Sequence, residues 1–407
     1  MSCQLPIASQ FAPGLTELCA GSMVIWLPLG SLSHCPTLRP MTNPGLLTIS
    51  ASDTPAVFSA MRSVLAGEAT LAIIPKANSN RINAVISAIN PNQPVSSEVG
   101  LIAVTSGSTG KPKAVEISHN AIQSSISAVN EELGVTPQWH LVLPLQHIAG
   151  TMTALRGLAL NSKLHNPTIN AADPTQLAAY VKSVKDLSEP HAIALVPEHL
   201  KRLAVINEIA SLRYFFKVII GAGSLSQDLI EKLTELGINF VSSYGLTETC
   251  GGIVWDGKPL NSVALSLNND NEVLVQSNMN ATRYRHNGLD LTSINTRDLG
   301  YFESGKLVIT GRSDSKVKIK GHLLDLADTS ESLQRMTESE ATALLAKETL
   351  YLIVTNLNLT ESQLMENLIN ELGDGIKGAK VVVKDKLPRT ELGKLNMFSL
   401  RLELEND

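Results

Sequence analysis

Short, wholly apolar runs alternate through the middle of the chain with longer stretches in which apolar residues recur every three or four positions. The short runs read as strands buried on both faces, and the longer stretches as helices with one apolar stripe. Strands are predicted at 70–74, 101–104, 114–117, 140–143, 192–196, 215–220 and 238–241, and helices at 56–65, 151–160, 198–209 and 226–236. Ser118 reads as an N-cap, Ile122, Ile126, Val129 and Leu133 follow at helical spacing, and Gly134 stands where a closing glycine belongs. This rhythm predicts an α/β fold, with mostly parallel sheets flanked by helices. From about residue 268 the pattern changes to short strands (272–276, 305–309) and a basic, turn-rich stretch at 311–321 that reads as a linker. A last unit follows, with helices at 340–347 and 361–372, strands at 350–355 and 380–383, and a polar tail. The expected division is a large N-terminal domain, 1–312, and a small α+β C-terminal domain, 313–407. Residues 78–94 read as a polar lead into the next strand.

Composition narrows the function classes. The chain has 407 residues, 43% hydrophobic and 17% charged, enough to bury a sizeable core. A net charge of −5 gives no basic footprint for nucleic acid. No apolar run reaches the length of a membrane span. No lysine or arginine precedes Arg39, so the basic start of a secretory signal is missing. Cys3, Cys19, Cys35 and Cys250 form no C-x-x-C pair, which argues against a disulfide frame or zinc site. The expected compartment is the cytoplasm.

In parallel sheets ligands sit beyond the carboxyl ends of strands, so the loops after strands carry the chemistry. Four such loops are unusual: Leu143-Pro-Leu-Gln-His-Ile-Ala-Gly150, Gly221-Ala-Gly223, Tyr244-Gly-Leu-Thr-Glu-Thr249, and Thr105-Ser-Gly-Ser-Thr-Gly-Lys-Pro-Lys113. In the last, glycines allow close backbone approach, while hydroxyls, loop N–H groups and lysines suit a polyphosphate. It is not a Walker loop, because Gly107 and Gly110 are too close together and Pro112 and another strand follow Lys111. By itself it is equally a flexible hairpin turn.

The whole string resembles the phosphate loop of the AMP-forming adenylating enzymes, which include acyl-CoA synthetases, luciferase and peptide-synthetase adenylation domains. Further anchors follow in family order: Tyr244-Gly-Leu-Thr-Glu248, Thr296-Arg-Asp-Leu-Gly300, Gly311-Arg-Ser-Asp314 through Lys318 and Gly321, and Pro388-Arg-Thr-Glu-Leu-Gly-Lys394. The resemblance implies a ligase that joins a carboxylic acid to AMP and then to a thiol, using ATP, Mg²⁺ and coenzyme A. It implies that Thr105, Ser106, Gly107, Ser108, Thr109, Gly110 and Lys113 hold phosphates. Glu248 would be the metal ligand, and Thr247 would contact the α-phosphate. Gly221, Ala222, Gly223, Tyr244 and Gly245 would border the adenine. Asp298 and Arg312 would meet the ribose, and Lys394 would be the catalytic lysine. Asp314 would be the hinge of a mobile C-terminal cap. The partners implied are small molecules, with room for a homodimer.

His147-Ile-Ala-Gly150 with Arg156 beyond it is similar to the branch of the family that activates 2-succinylbenzoate for menaquinone. That resemblance implies a catalytic or gating role for His147 and a clamp role for Arg156 on the second carboxylate of the substrate. A guanidinium fork suits a carboxylate, whereas a fatty-acid pocket gains nothing from a buried arginine. Another acid, a carrier-protein acceptor, and a non-catalytic nucleotide-binding protein remain open readings. The chain departs from the family pattern at Ala114 and Arg297, where glycine is usual, at Ser315, and at 323–330.

Overall fold

The computed structural model describes residues 19–20, 23–24, 45–105, 112–159, 162–184, 188–319, 321–389 and 395–406. Cys19–Ala20 and Met23–Val24 form a short antiparallel pair in a unit of its own, Met1–Thr42. All other described residues belong to the second unit, Asn43–Asp407.

Two sheets frame that unit, and both are built as the apolar runs require. The first has five strands. Leu46–Ser50, Thr70–Ile74 and Val99–Thr105 run parallel; Lys113–Ser118 returns antiparallel and Arg283–Tyr284 adds an edge. All five residues of Thr70–Ile74 are buried, as expected of a strand covered on both faces. In the second sheet, Lys163–His165, Gln138–His140, His191–Leu195, Lys217–Gly221 and Phe240–Leu246 are parallel neighbours in that order. Gly251–Trp255 and Lys258–Pro259 extend it antiparallel. Helices Thr54–Leu65, His119–Leu133 and Ile148–Leu158 pack their apolar residues into one core with the first sheet. The helix at 119–133 starts with Ser118 accepting from the Ala121 N–H and ends at Gly134 in the left-handed region, φ 68°.

A four-stranded antiparallel sheet follows, in the order Val263–Leu267, Glu272–Ser277, Ser293–Glu303 and Lys306–Arg312. Beyond it Lys316–Ile319 pairs with His322–Asp325, so the expected linker at 311–321 is in large part a hairpin. Ala341–Ala346, Thr349–Val354 and Lys380–Val383 form a three-stranded sheet with its own core, built by Leu333, Leu352, Leu364 and Leu368 among others. The helix predicted at 340–347 is therefore a strand. The polar tail is the helix Met397–Asn406, which buries Leu400 and Leu404. The lead at 78–94 contains the helix Ser79–Ile89, capped by Asn78. No helix among the described residues is long and apolar enough to cross a membrane.

Candidate active site

Three of the four loops singled out in the sequence, 143–150, 221–223 and 244–249, contribute residues to one cavity wall. Beyond the carboxyl ends of the second sheet lies a cavity of about 110 Å³, lined by Trp139, Arg156, Gly221, Ala222, Ser243 and Gly245 among others. Helix Ile148–Leu158 closes one side of it. That helix can approach because residue 150 is glycine: a Cβ there would stand 2.1 Å from the Pro144 carbonyl oxygen. Gly245 is required for the same reason, with a Cβ falling 2.0 Å from the Gly251 oxygen. Ala222 occupies the left-handed region at φ 65°, a conformation that costs a non-glycine residue about 1–2 kcal/mol.

Arg156 is the one charged side chain in the cavity wall. It is only 9% exposed. Its Nη2 donates to Ser125 Oγ at 2.9 Å, and its guanidinium lies 5.6 Å from the centroid of the Trp139 ring. It forms no ion pair with any described residue, and its Nε is buried without a hydrogen-bond partner. Burial pushes the guanidinium down to about 10, still charged at neutral pH. A buried charge left unpaired is worth several kcal/mol of instability, so this site calls for an anion. His147 is half-buried at the N-cap of the same helix, next to the cavity-lining Ile148, and is not itself in the cavity wall.

A second group assembles around Glu248, in the turn after Phe240–Leu246. Tyr284 Oη donates to Glu248 Oε1 at 2.7 Å, and Lys113 Nζ lies 5.9 Å from the Tyr284 ring centroid. Burial and the Glu248 charge raise the Tyr284 phenol well above its ordinary value, so it stays a donor. Behind it Arg285 is fully buried and pairs with Glu116, while Arg283 Nε meets the other Glu116 oxygen at 2.8 Å. Arg285 also donates to the carbonyls of Ile89, Asn90 and Gln93. These bonds fix the strand Arg283–Tyr284, and hence the phenol, against Lys113–Ser118.

A third group joins Tyr244, Asp298, Arg312 and Asp314. Tyr244 Oη donates to Asp298 Oδ2 at 2.7 Å, and Arg312 Nη1 donates to Oδ1 at 2.7 Å. Arg312 also grips Asp314 with two bonds, at 2.8 and 3.0 Å. That fork to Asp314, with the Asp298 charge, raises the guanidinium further above its ordinary value, and burial opposes it. Tyr244 and Gly245 lie within the strand rather than after it. Thr105 and Lys113 are register partners, so the phosphate loop is the connection of a hairpin. Ser106, Gly107, Ser108, Thr109, Gly110 and Lys394 lie outside the described residues. Gly223 is not in the wall of the Arg156 cavity. Sequence reasoning missed Tyr284, Arg285, Ser125 and Trp139, none of which stands in a recognisable motif.

The model of the AMP-binding enzymes matches residues 49–287, more than half of the chain. The chain belongs to the AMP-binding enzyme family. Its relatives include a protein named probable 2-succinylbenzoate–CoA ligase from Mycobacterium tuberculosis, 29% identical over 281 residues, covering 66% of this chain and 72% of that one. A 2-succinylbenzoate–CoA ligase from Lactococcus lactis is 25% identical over 333 residues, covering 76% and 71%. Among solved structures, the O-succinylbenzoate coenzyme A synthetase of Bacillus subtilis in complex with AMP shares the fold. Its TM-score is 0.63 at 19% identity, with 90% of this chain and 89% of that chain covered. Klebsiella oxytoca NpsA in complex with 3-hydroxyanthranilyl-AMSN has TM-score 0.69 at 16% identity, with 89% of each chain covered. These likenesses bear out the α/β fold expected from the sequence.

Proposed function

We propose that the chain is an AMP-forming ligase that activates 2-succinylbenzoate as its acyl-adenylate and transfers the acyl group to coenzyme A, in menaquinone biosynthesis. The observation that carries the substrate is Arg156, a buried guanidinium without an acidic partner in a cavity wall. A substrate with two carboxylates leaves one to be activated and one to pair with Arg156 in bidentate fashion. Trp139, on which the guanidinium already rests, offers a flat neighbour to an aromatic ring. The names of the relatives agree with this reading.

Adenylation brings a carboxylate against a phosphate, so the site must supply positive charge and fixed donors. Lys113, at the base of the phosphate loop, supplies charge. Glu248 fits Mg²⁺: one carboxylate oxygen is held by Tyr284, and the other bonds no described residue. Magnesium, when bound, neutralises the phosphates. Thr247, next to Glu248, would donate to the α-phosphate. Asp298 accepts two bonds and keeps acceptor capacity for a ribose hydroxyl. Gly221, Ala222 and Gly223 would border the adenine. Lys394 would bridge acid and phosphate from a C-terminal cap, 313–407, that swings about Asp314 against the adenylating domain, 1–312.

The test is AMP release from MgATP over a panel of acids, with and without coenzyme A. Release with 2-succinylbenzoate that depends on coenzyme A is the expected result, and Arg156→Ala should lose this acid far more than a plain aryl acid. Equal loss with both acids would remove Arg156 from the clamp role.

A further inference from the structure

A second cavity, of about 460 Å³, is larger than the one at Arg156 and shares no wall residue with it. Its wall includes Ser52, Lys76, Gln146, Asn170, Arg202 and Arg389. Most of these follow from topology. Ser52 and Lys76 come just after the parallel strands Leu46–Ser50 and Thr70–Ile74 of the first sheet. Gln146 and Asn170 follow Gln138–His140 and Lys163–His165 of the second, and Arg202 lies on the helix that follows His191–Leu195. The cavity is therefore built between the carboxyl ends of both sheets, and Arg389 adds a cation from the C-terminal part.

Its charge is one-sided: three cations and no carboxylate line it. Arg202 is oriented by Glu198 at 3.3 Å and by the Ala172 carbonyl at 2.7 Å, and Arg389 by Glu340 at 2.5 Å, both carboxylates standing outside the wall. Lys76 makes no ion pair or hydrogen bond with any described residue. On the first sheet the strand before Lys76 is the direct neighbour of Val99–Thr105, which opens the phosphate loop. Adjacent strands lie about 4.8 Å apart. Lys76 thus comes two residues after the end of the strand beside the one that leads into the phosphate loop, where the proposed reaction sets its pyrophosphate free.

We propose that this cavity is an anion site that receives pyrophosphate as it leaves the phosphate loop, with Lys76 and Arg202 as its ligands. The proposal rests on the adenylation reading. It gives the product an exit beside the sheets' carboxyl ends, separate from the acyl cavity, and it makes the released anion a ligand of the enzyme rather than of bulk water.

The test uses the full chain in acid-dependent ATP–pyrophosphate exchange. Lys76→Ala, at an exposed position, should raise KM for pyrophosphate about tenfold with KM for ATP unchanged, and Arg202→Gln should do the same. Thioester formation should keep its KM for coenzyme A. Unchanged pyrophosphate KM in both variants would overturn the site. A rise in KM for coenzyme A alone would assign the cavity to the phosphates of the thiol and equally overturn the proposal. If the wild type shows no exchange with any acid, the adenylation reading fails. Calorimetric binding of inorganic pyrophosphate, lost in Lys76→Ala, would then still support the anion site, and no binding to the wild type would overturn it.

Discussion

The phenol of Tyr284 donates a 2.7 Å hydrogen bond to Glu248 Oε1, tying an edge strand of the first sheet to the turn that follows a strand of the second. The bond occupies one carboxylate oxygen, and the other bonds no described residue, which leaves it available to the Mg²⁺ of the proposed reaction. A hydrogen bond to a charged group contributes about 1.5–3 kcal/mol. Tyr284→Phe should therefore raise the Mg²⁺ concentration needed for half-maximal AMP release about tenfold or more, with little change in KM for the acid. Magnesium titration of the steady-state rate reads it. An unchanged magnesium dependence would show that Glu248 holds its orientation without the phenol.

Tyr284 is itself held by Arg285, whose guanidinium is fully buried against Glu116 and three backbone carbonyls. Removing one member of such a pair costs about 3–5 kcal/mol when the other charge is left wholly uncompensated, and here Glu116 keeps Arg283. Arg285→Met should therefore lower the unfolding free energy by about 3 kcal/mol in urea, the low end of that range. The double variant Glu116→Leu with Arg285→Met should lose less than the single one, because the buried carboxylate, left with Arg283 alone, is gone. Similar losses in both would mean that the carbonyl bonds of Arg285, not its ion pair, carry the stability.

Arg297 stands where the family has glycine, and the structure shows why glycine is usual: its φ is 60°. The left-handed region costs a side-chain-bearing residue about 1–2 kcal/mol, while glycine gives back part of that in unfolded-state entropy. Arg297→Gly is expected to stabilise the protein by about 0.5–1 kcal/mol in thermal or urea unfolding. Asp298, next in the chain, should keep its bonds to Tyr244 and Arg312, so KM for ATP should not rise. A destabilised variant would mean that the Arg297 side chain contributes more than its backbone loses.

These residues also mark how far the sequence could be read. Where one covering environment decides the pattern, reading succeeded: the predicted strand 70–74 and helix 361–372 have the observed bounds. It failed where tertiary pairing overrides local preference. Residues 340–347 are rich in helix formers, yet Ala341–Ala346 pairs along its whole length with Thr349–Val354 and is buried on both faces. Lys347 and Glu348 make that hairpin turn at φ 44° and 61°, without the glycine or asparagine that signals such turns. Helix Ser79–Ile89 was hidden by its polar residues, although Asn78 caps it and Val85 and Ile89 form its buried stripe. At the site, the motifs marked Arg156, Glu248 and Asp298. Their supports, Ser125 and Tyr284, arrive from distant strands and helices, and short-range spacing carries no trace of them.

Three adjacent parallel strands bring His140, His165 and His191 onto one side of the second sheet, where pH should act on stability. His140 Nε2 lies 2.8 Å from His191 Nδ1, its Nδ1 lies 2.5 Å from Tyr180 Oη, and its ring stacks on His165 at 4.5 Å. Burial, then the charges of His165, His191 and Lys163, holds His140 down at about 3, and burial also lowers His165. The folded state thus resists a proton that the unfolded chain accepts near the ordinary histidine value of about 6.5. Stability falls wherever the unfolded state binds more protons, so it should be full above that value and decline as pH drops toward 3. For His140 alone, the loss at pH 5 is about 2 kcal/mol relative to neutral pH. Urea unfolding at a series of pH values should show this decline, and His140→Phe should flatten it while leaving neutral-pH adenylation intact, since the cluster lies outside both cavities. A decline as steep in His140→Phe as in the wild type would assign the acid sensitivity to other groups.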